Sequence, residues 1–186
     1  MGDRTIHVLF EYDEFMERLF FQFKEGADVL LAPYFLTASW ARTLRTFDLL
    51  AVESWHEKAA QRGFETLERI AEAHGLHVFY PFEKTCAYKQ SSLDRQQRQT
   101  TGHHIRRKAL CPASFSHPVI FEDVVTTGAT LKRLFELSGA REAWVLAAHP
   151  LWLAEHEKSE DRSAFALFAD HIIVRLQNCF QRGVKR

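Results

Sequence analysis

The sequence has none of the features that mark several protein classes. Its three cysteines are far apart in 186 residues, so they form neither a CxxC pair nor a disulfide framework, which favours small buried thiols in a reducing compartment. The longest apolar stretch, residues 29–36, contains Pro33 and is far shorter than the ~20 residues of a bilayer helix. The first twenty residues carry five acidic side chains, which excludes a signal peptide. We therefore expect a cytoplasmic protein without a membrane span.

The chain also has no excess of charge of either sign. Lys plus Arg is 24 and Asp plus Glu is 24, so the net charge is zero. This excludes a uniformly basic nucleic-acid coat protein and an acidic tail, and any charge effect must be local. Apolar residues at 46% and charged residues at 26% are typical of one globular domain. Because Phe accounts for 16 residues, we expect a core rich in aromatic side chains.

Strand-like runs alternate with helical patterns along the chain. Strands are predicted at residues 6–10, 47–52, 77–80, 118–121, 143–148 and 171–174. Helices are predicted at residues 13–24, 28–40, 55–74, 128–139 and 152–168. This alternation favours a mostly parallel sheet with helices on both faces, so the predicted fold class is α/β.

One segment carries most of the chemical information. Residues 119–131 are an apolar strand that delivers two acids at its carboxyl end and continues through a Thr- and Gly-rich turn into a helix. Open α/β sheets bind ligands at this end of their strands. Exposed backbone N–H groups and the positive end of the helix dipole favour a phosphate. The predicted phosphate-binding residues are Val125, Thr126, Thr127, Gly128, Ala129 and Thr130.

The two acids of this segment need a different ligand group. Glu122 and Asp123 would repel a phosphate, so they are expected to face vicinal hydroxyls or a divalent cation. A ligand with a phosphate at one end and a diol a few ångströms away is a ribose 5-phosphate. The alternative is an accidental strand–turn–helix whose acidic pair is merely solvated.

Residues 122–130 resemble the phosphoribosyl-pyrophosphate (PRPP) signature of type I phosphoribosyltransferases. The resemblance implies that Glu122 and Asp123 are the catalytic acids, which contact the ribose hydroxyls and hold Mg²⁺ indirectly through PRPP. It also implies that family's α/β fold with a small hood and a flexible basic loop. The whole chain, 1–186, would be one domain with its core at about 45–149 and hood and flanking elements at 1–44 and 150–186.

Three other segments resemble ComF-type competence proteins of the same superfamily. Residues 61–64 are similar to their Arg-Gly-Phe-Asn-Gln element, residues 90–98 to their Gln-x-x-Leu-x-x-x-x-Arg stretch, and residues 21–28 to their Leu-Lys-x-x-Gly-Asp segment. The segments follow the family's order. The chain departs from the family in lacking the four-cysteine zinc ribbon of many members. It also departs in single residues: Glu65-Thr66 for Asn-Gln, Thr101 for Asn, and Glu122 where Asp is commoner.

By the same resemblance, a short loop after an early strand binds pyrophosphate. This loop is Glu53, Ser54 and Trp55, and Arg62 follows it in the next helix. Small residues and backbone N–H groups perform this task in type I enzymes. A second interpretation, compatible with the first, makes Ser54 the N-cap of the helix that begins at Trp55.

A basic segment interrupts the pattern of strands and helices. Residues 84–108 hold seven basic side chains and one acid, a local net charge of +6, and almost no apolar residue. Its candidate functional residues are Arg95, Arg98, Arg106, Arg107 and Lys108. The segment is predicted to be an exposed loop or a mobile hairpin.

Three interpretations of this basic segment stay open. It could form a lid that closes over pyrophosphate, or a groove for single-stranded nucleic acid with Tyr80, Phe82 and Tyr88 as stacking faces. The third interpretation is a solvated loop. The neighbouring His103 and His104 are expected to be loop residues, because adjacent histidines rarely bind one metal without a further ligand.

Near the end of the strand at 143–148 lie three other side chains of interest. Trp144 and Trp152 are expected in the core or hood, and His149 is a candidate for contact with a nucleobase. All three lie on the side of the sheet where ligands bind in such folds.

The resemblance implies transfer of a 5-phosphoribosyl group from PRPP to a nitrogen acceptor, with Mg²⁺ as cofactor and release of pyrophosphate. Enzymatic activity is left open, because no residue stands out as a general base. The alternative is a non-catalytic competence factor of DNA uptake. It would use the pocket as a sensor and the basic loop to bind single-stranded DNA or a competence helicase partner. A homodimer is compatible with the sequence. The zero net charge and the lack of a helix-turn-helix pattern argue against a PRPP-responsive regulator of duplex DNA.

Overall fold

Six strands form one sheet in the computed structural model of the chain, which describes residues 4–85, 104–111 and 114–156. In chain order they are β1 (Thr5–Glu11), β2 (Asp48–Val52), β3 (Val78–Lys84), β4 (Ile105–Arg107), β5 (Pro118–Val125) and β6 (Glu142–Ala148). They lie in the order β1-β6-β5-β2-β3-β4. All neighbours are parallel except β3 and β4, which are antiparallel. The prediction of an α/β fold around a mostly parallel sheet is confirmed.

The helices begin and end at residues that suit those positions. They are α1 (Glu14–Lys24), a 3₁₀ helix (Val29–Tyr34), α2 (Ala38–Leu44), α3 (His56–Arg62), α4 (Thr66–Glu72), α5 (Ala129–Ser138) and α6 (Pro150–His156). The Asp13 side chain caps α1, and the Thr37 side chain caps α2. Gly139 ends α5 with a φ of 70°, in the left-handed region that glycine adopts without penalty.

The prediction of one long helix over residues 55–74 is wrong. Gly63 has a φ of 82° and ends α3, and α4 begins only after Glu65. Glycine has no Cβ to clash in this conformation, so the chain turns here at little cost. The predicted helix over residues 28–40 is also divided in two, because Pro33 lies in a short 3₁₀ helix and α2 starts separately after Thr37.

The predicted helix over residues 152–168 is described only in part. The observed helix α6 begins at Pro150, two residues earlier than expected, and extends to His156. The remainder of that prediction, and the strand predicted at residues 171–174, lie outside the described residues.

Helices cover both faces of the sheet, and aromatic side chains fill much of the core. On one face, Phe35 packs against Phe20 and Phe23 with ring centroids 4.6 and 4.9 Å apart. On the other face, Leu134 of α5 and Trp152 of α6 pack on the sheet. The expectation of an aromatic-rich core is confirmed.

The parallel strands bring several loops to one edge of the sheet. The chain leaves β2 at Val52, β5 at Val125 and β6 at Ala148, all at the carboxyl end of the sheet. Loops gathered at this end are where α/β folds bind ligands. None of the helices in the described part of the chain combines the length and the apolar character that a membrane crossing requires.

Candidate functional site

A cavity of about 770 Å³ opens at this edge of the sheet. Every predicted phosphate-binding residue from Val125 to Thr130 lines it, as do Glu122 and Asp123. Ser54, Trp55 and Arg62 from the predicted pyrophosphate side line the same cavity. Tertiary structure therefore places most of the candidate residues from three separate sequence segments around one space.

The turn between β5 and α5 presents unbonded backbone N–H groups to the cavity. Within the described chain, no hydrogen bond takes up the N–H groups of Thr126, Thr127, Gly128 and Thr130. The Thr127 hydroxyl is at the limit of hydrogen-bonding distance, 3.5 Å, from the N–H of Ala129. These donors surround the N-terminus of a ten-residue helix, where the helix dipole favours an anion.

Gly128 makes this turn possible for two reasons. Its φ of 75° lies in the left-handed region, and it occupies the N-cap position of α5 without a side chain to cover the helix end. A Cβ at this position would lie 2.9 Å from Nε1 of Trp152, which packs from α6. The turn can therefore lie this close to α6 only because residue 128 has no Cβ.

The acidic pair at the end of β5 is held by a lysine from a distant segment. The ammonium group of Lys24, at the end of α1, pairs with Oδ2 of Asp123. Oδ1 of Asp123 accepts the N–H of Val124 at 2.7 Å. Both side chains of the ion pair are about three-quarters buried, at 22% and 24% exposure. The Lys24 ammonium also lies 4.7 Å from the ring centroid of Phe20.

The two carboxyl groups of this pair titrate very differently. Burial, followed by repulsion from Asp123, raises the pKa of Glu122 to about 8. Burial alone would also raise the pKa of Asp123, but the charge and hydrogen bond of Lys24 lower it to about 2. At neutral pH the pair therefore carries close to one negative charge, which the Lys24 ammonium neutralises.

The predicted pyrophosphate loop is already hydrogen-bonded inside the chain. The N–H of Ser54 points at the carboxylate of Glu65, at 3.2 Å from each oxygen. Trp55, and not Ser54, occupies the N-cap position of α3, and it makes no side-chain cap bond. The interpretation of Ser54 as a helix cap is therefore wrong, because α3 begins one residue later than the sequence pattern indicates.

The guanidinium group of Arg62 is hydrogen-bonded to other groups of the protein. Its Nε donates to the backbone oxygen of Lys24 at 3.0 Å, and its Nη1 donates to the Thr66 hydroxyl at 2.8 Å. Nη2 lies 3.7 Å from the Glu25 carboxylate, and the side chain is only 8% exposed. Arg62 thus connects the end of α3 to the end of α1, in addition to lining the cavity.

Two described basic residues of the segment 84–108 are paired with nearby acids. Arg106 on β4 contacts Glu83 on β3 at 2.8 Å, and Lys108 contacts Glu53 at 2.7 Å. Glu53, Arg106, Arg107 and Lys108 do not line the cavity. Two further predicted members, Arg95 and Arg98, lie outside the described residues.

The stacking faces proposed for nucleic acid are only partly available. Phe82 is 1% exposed and packs in the core, so its assignment as a stacking face is wrong. Tyr80 lines the cavity, and its hydroxyl accepts the N–H of Glu68 at 2.9 Å. Burial, followed by the charge of Glu65, raises the pKa of that hydroxyl well above its ordinary value. Tyr88 lies outside the described residues.

Of the three side chains expected at the ligand end of β6, Trp144 lies instead near the start of this strand, and only His149 lines the cavity. Trp144 and Trp152 are buried, at 7% and 4% exposure, which confirms their core role. His149 lines the cavity, and its Nδ1 accepts the N–H of Leu151 at 3.2 Å. Its ring therefore stabilises the start of α6, and a contact with a nucleobase stays a prediction.

Two residues of the site have contacts that the sequence does not indicate. Lys24 belongs to the segment at 21–28 that resembles a family element, but nothing in the sequence indicates its pairing with Asp123. Glu65 is one of the residues at which the chain departs from the family's motif, and nothing near it in sequence indicates that it reaches Ser54. A group of three or more His, Cys, Asp or Glu side chains that could bind a metal is absent from the described ranges.

A comparison with known proteins supports the resemblance seen in the motifs. Over 142 residues the chain is 26% identical to Competence protein ComFC of Streptococcus pneumoniae, which covers 73% of this chain and 63% of that protein. The chain thus spans less than two thirds of the relative's length. No protein-family model matches the chain. The similarity supports the predicted resemblance to ComF-type competence proteins.

Proposed function

We propose that this ComF-type chain binds a ribose 5-phosphate-type ligand such as PRPP in its cavity and transfers the 5-phosphoribosyl group to a nitrogen acceptor. One observation carries the proposal: unbonded N–H groups in the turn at 126–130 lie beside the acidic pair Glu122 and Asp123 in one cavity. A cluster of N–H groups suits a phosphate, and carboxylates suit hydroxyl donors. The relative's name supports a role in competence.

In this proposal the turn anchors the ligand's phosphate and the acidic pair orients its sugar. The N–H groups of Thr126, Thr127 and Gly128 would donate to the phosphate oxygens, aided by the dipole of α5. Asp123, ionised through its pairing with Lys24, would accept hydrogen bonds from the ribose 2- and 3-hydroxyls. Anchoring both ends of the sugar fixes the position of C1, where the bond to the leaving group breaks.

The residues present fit a Mg²⁺ ion that is held mainly by the ligand. The acidic pair supplies oxygen atoms, but the described residues contain no complete metal cluster, so PRPP itself would provide most of the ligands. When bound, Mg²⁺ would neutralise the charge of the departing pyrophosphate. Glu122 and Asp123 would hold the Mg²⁺ ion indirectly, through the ribose hydroxyls that these two acids contact.

Transfer exchanges one bond at C1 for another. The C1–O bond to pyrophosphate breaks, a C1–N bond to the acceptor forms, and the acceptor nitrogen loses one proton to solvent or a base. The chain's own contribution would be to position the sugar and to stabilise charge.

Two measurements, made one after the other, test the proposal. Calorimetric titration with ribose 5-phosphate should show saturable binding, and the variant Gly128→Ala should weaken it because the turn is distorted. Pyrophosphate release from PRPP with Mg²⁺ and a panel of nucleobases should then rise above the rate without acceptor. No binding of ribose 5-phosphate would overturn the site, and binding without release would leave a ligand-binding protein that is not a transferase.

The second candidate is a non-catalytic competence factor that uses the pocket as a sensor and the basic segment for single-stranded DNA or a helicase partner. Two observations favour it: the relative is named a competence protein, and the predicted pyrophosphate side is already bonded internally. Affinity for single-stranded DNA should then fall steeply with salt. If replacing Arg106, Arg107 and Lys108 with Ala leaves the affinity and its salt slope unchanged, this surface is misassigned.

A further inference from the structure

The two ends of the cavity differ in how their backbone donors are used. At the turn after β5, the N–H groups of Thr126, Thr127 and Gly128 have no acceptor in the part of the chain that is described. At the loop after β2, the N–H of Ser54 is shared by both carboxylate oxygens of Glu65, each at 3.2 Å. The turn after β5 can therefore accept an anion from a ligand. The loop after β2 already holds an anion of the protein, the Glu65 carboxylate.

A second donor at this end is also taken up. Arg62, which lines the same cavity, uses Nε for the Lys24 carbonyl and Nη1 for the Thr66 hydroxyl, and it lies beside the Glu25 carboxylate. Its side chain is 8% exposed, so it cannot turn toward a ligand without breaking these contacts. The loop end of the cavity therefore presents the negative charge of Glu65 with no unused donor from Ser54 or Arg62.

A ligand group at this end would meet that charge directly. Pyrophosphate carries several negative charges, and in the arrangement that the family resemblance implies it would lie at the Ser54 N–H, beside Glu65. Like charges brought together in a partly buried site repel strongly, because the local dielectric is well below that of water. A ribose 5-phosphate without a charged group at C1 meets no such repulsion.

We propose that Glu65 acts as a resident anion in the pyrophosphate end of the cavity and weakens the binding of PRPP relative to that of ribose 5-phosphate-type monophosphates. The inference rests on the proposed function, because it assumes that the sugar phosphate occupies the turn at 126–130. Glu65 is a specificity-determining residue in this account. To bind PRPP, the chain must move this carboxylate away from the Ser54 N–H, and that displacement lowers the affinity for PRPP.

The variant Glu65→Gln tests this directly. Glutamine keeps an oxygen that accepts the Ser54 N–H, but it removes the charge. In calorimetric titrations with Mg²⁺, PRPP should bind this variant about tenfold more tightly than the natural chain, because one like charge is lost. Affinity for ribose 5-phosphate should change by less than about twofold, because that ligand places no charge near residue 65. The matched control is Glu72→Gln, which removes an exposed charge at the opposite end of α4 from Glu65, outside the cavity, and should leave both affinities unchanged.

The outcomes separate this inference from the proposed function. An unchanged or weakened affinity of Glu65→Gln for PRPP, with normal binding of ribose 5-phosphate, overturns the inference alone. If the natural chain binds no ribose 5-phosphate, the proposed function fails. Titration with inorganic pyrophosphate then decides the role of Glu65, because only a resident anion predicts a gain in the variant. If Glu65→Gln does not fold by circular dichroism, Glu65→Asn, a shorter neutral amide, is measured against the same criteria.

Discussion

Lys24 decides the charge of the acidic pair. Its ammonium is brought to Asp123 by the end of α1, 99 residues earlier in the chain. With the ammonium beside it, the pKa of Asp123 falls to about 2, while burial and the Asp123 charge raise the pKa of Glu122 to about 8. Two adjacent acids of the same strand therefore have opposite protonation states at neutral pH, and one of them can donate a proton.

The raised pKa of Glu122 predicts a specific dependence of stability on pH. Between the ordinary value of 4.5 and about 8, the folded chain holds a proton that the unfolded chain has lost. The contribution of Glu122 to the free energy of unfolding is therefore complete below pH 4.5, falls as pH rises through this window, and is flat above it. The variant Glu122→Gln should lack this decline.

Urea unfolding of both chains at pH 5, 6, 7 and 8 measures the effect. The difference in the free energy of unfolding, natural chain minus variant, should become steadily more negative with pH. Glu57→Gln, a change at an exposed residue of α3, is the control and should show a constant difference. A constant difference for Glu122→Gln as well would show that the pKa of Glu122 is not raised.

At this scale the sequence identified the acids but not their partners. Glu122 and Asp123 follow an apolar strand, which is a local pattern and can be read directly. The pairing of Lys24 with Asp123, and that of Glu65 with Ser54, joins separate segments. Local periodicity contains no information on which distant side chain arrives at a given carboxylate, so these contacts required the fold.

The unit that forms the phosphate end of the cavity is β5, its turn and α5. The strand is buried on both faces, the turn leaves its N–H groups unbonded, and the helix adds its dipole. Trp152 of α6 lies against the turn at Gly128, so α6 limits the size of the side chain that residue 128 can have. The strand, turn and helix were predicted from the sequence, but the contact with Trp152 was not.

Replacing Gly128 with Ala should destabilise the chain more than replacing Gly139 with Ala. Both glycines have a left-handed φ, 75° and 70°, where a Cβ costs about 1–2 kcal/mol. A Cβ at Gly139 meets no atom within 4 Å, whereas one at Gly128 lies 2.9 Å from Nε1 of Trp152. The second cost is a clash that applies only to Gly128.

Chemical denaturation of the two variants isolates that clash. The free energy of unfolding should fall by about 1–2 kcal/mol for Gly139→Ala, the strain of the backbone alone, and by more for Gly128→Ala. Equal losses in the two variants would mean that the Trp152 side chain moves aside without lowering the free energy of unfolding. The comparison is matched, because the two glycines flank the same helix, α5.

Among the helices, the sequence pattern was least accurate in predicting where a helix ends. Leu67 and Ile70 follow Gly63 at helical spacing, and residues 55–74 contain no proline, so the pattern indicates one helix. The break arises because Gly63 adopts a φ of 82°, and a glycine in a helical pattern does not reveal its conformation. The cap at Asp13 and the end at Gly139 were predictable, because both act on their immediate neighbours.

At the scale of the whole molecule, ligand binding should stabilise the fold. The turn at 126–130, the acidic pair and Lys24 come from separate elements, so a ligand that contacts them links β5, α5 and α1. At ligand concentrations of 100 times Kd, a ligand that binds only the folded chain raises the free energy of unfolding by about 2.7 kcal/mol. For a chain of this length the increase in Tm is about 5–10 °C.

Thermal denaturation with ribose 5-phosphate provides the measurement. Unphosphorylated ribose at the same concentration is the control, and it should leave Tm nearly unchanged because it lacks the group that the turn binds. An equal increase in Tm with both sugars would contradict a phosphate site. An increase with ribose 5-phosphate that disappears in Gly128→Ala would locate the phosphate at the turn.

The sequence by itself determined the α/β class, the positions of the parallel strands and the acidic strand–turn–helix, because these depend on periodicity and on neighbouring residues. Only the tertiary structure decided how charges are paired around the cavity. Lys24 meets Asp123, Glu65 meets Ser54, and Arg62 turns back to the end of α1. Such pairs form because a parallel sheet gathers its loops at one edge, and their identity depends on how each helix packs over that edge.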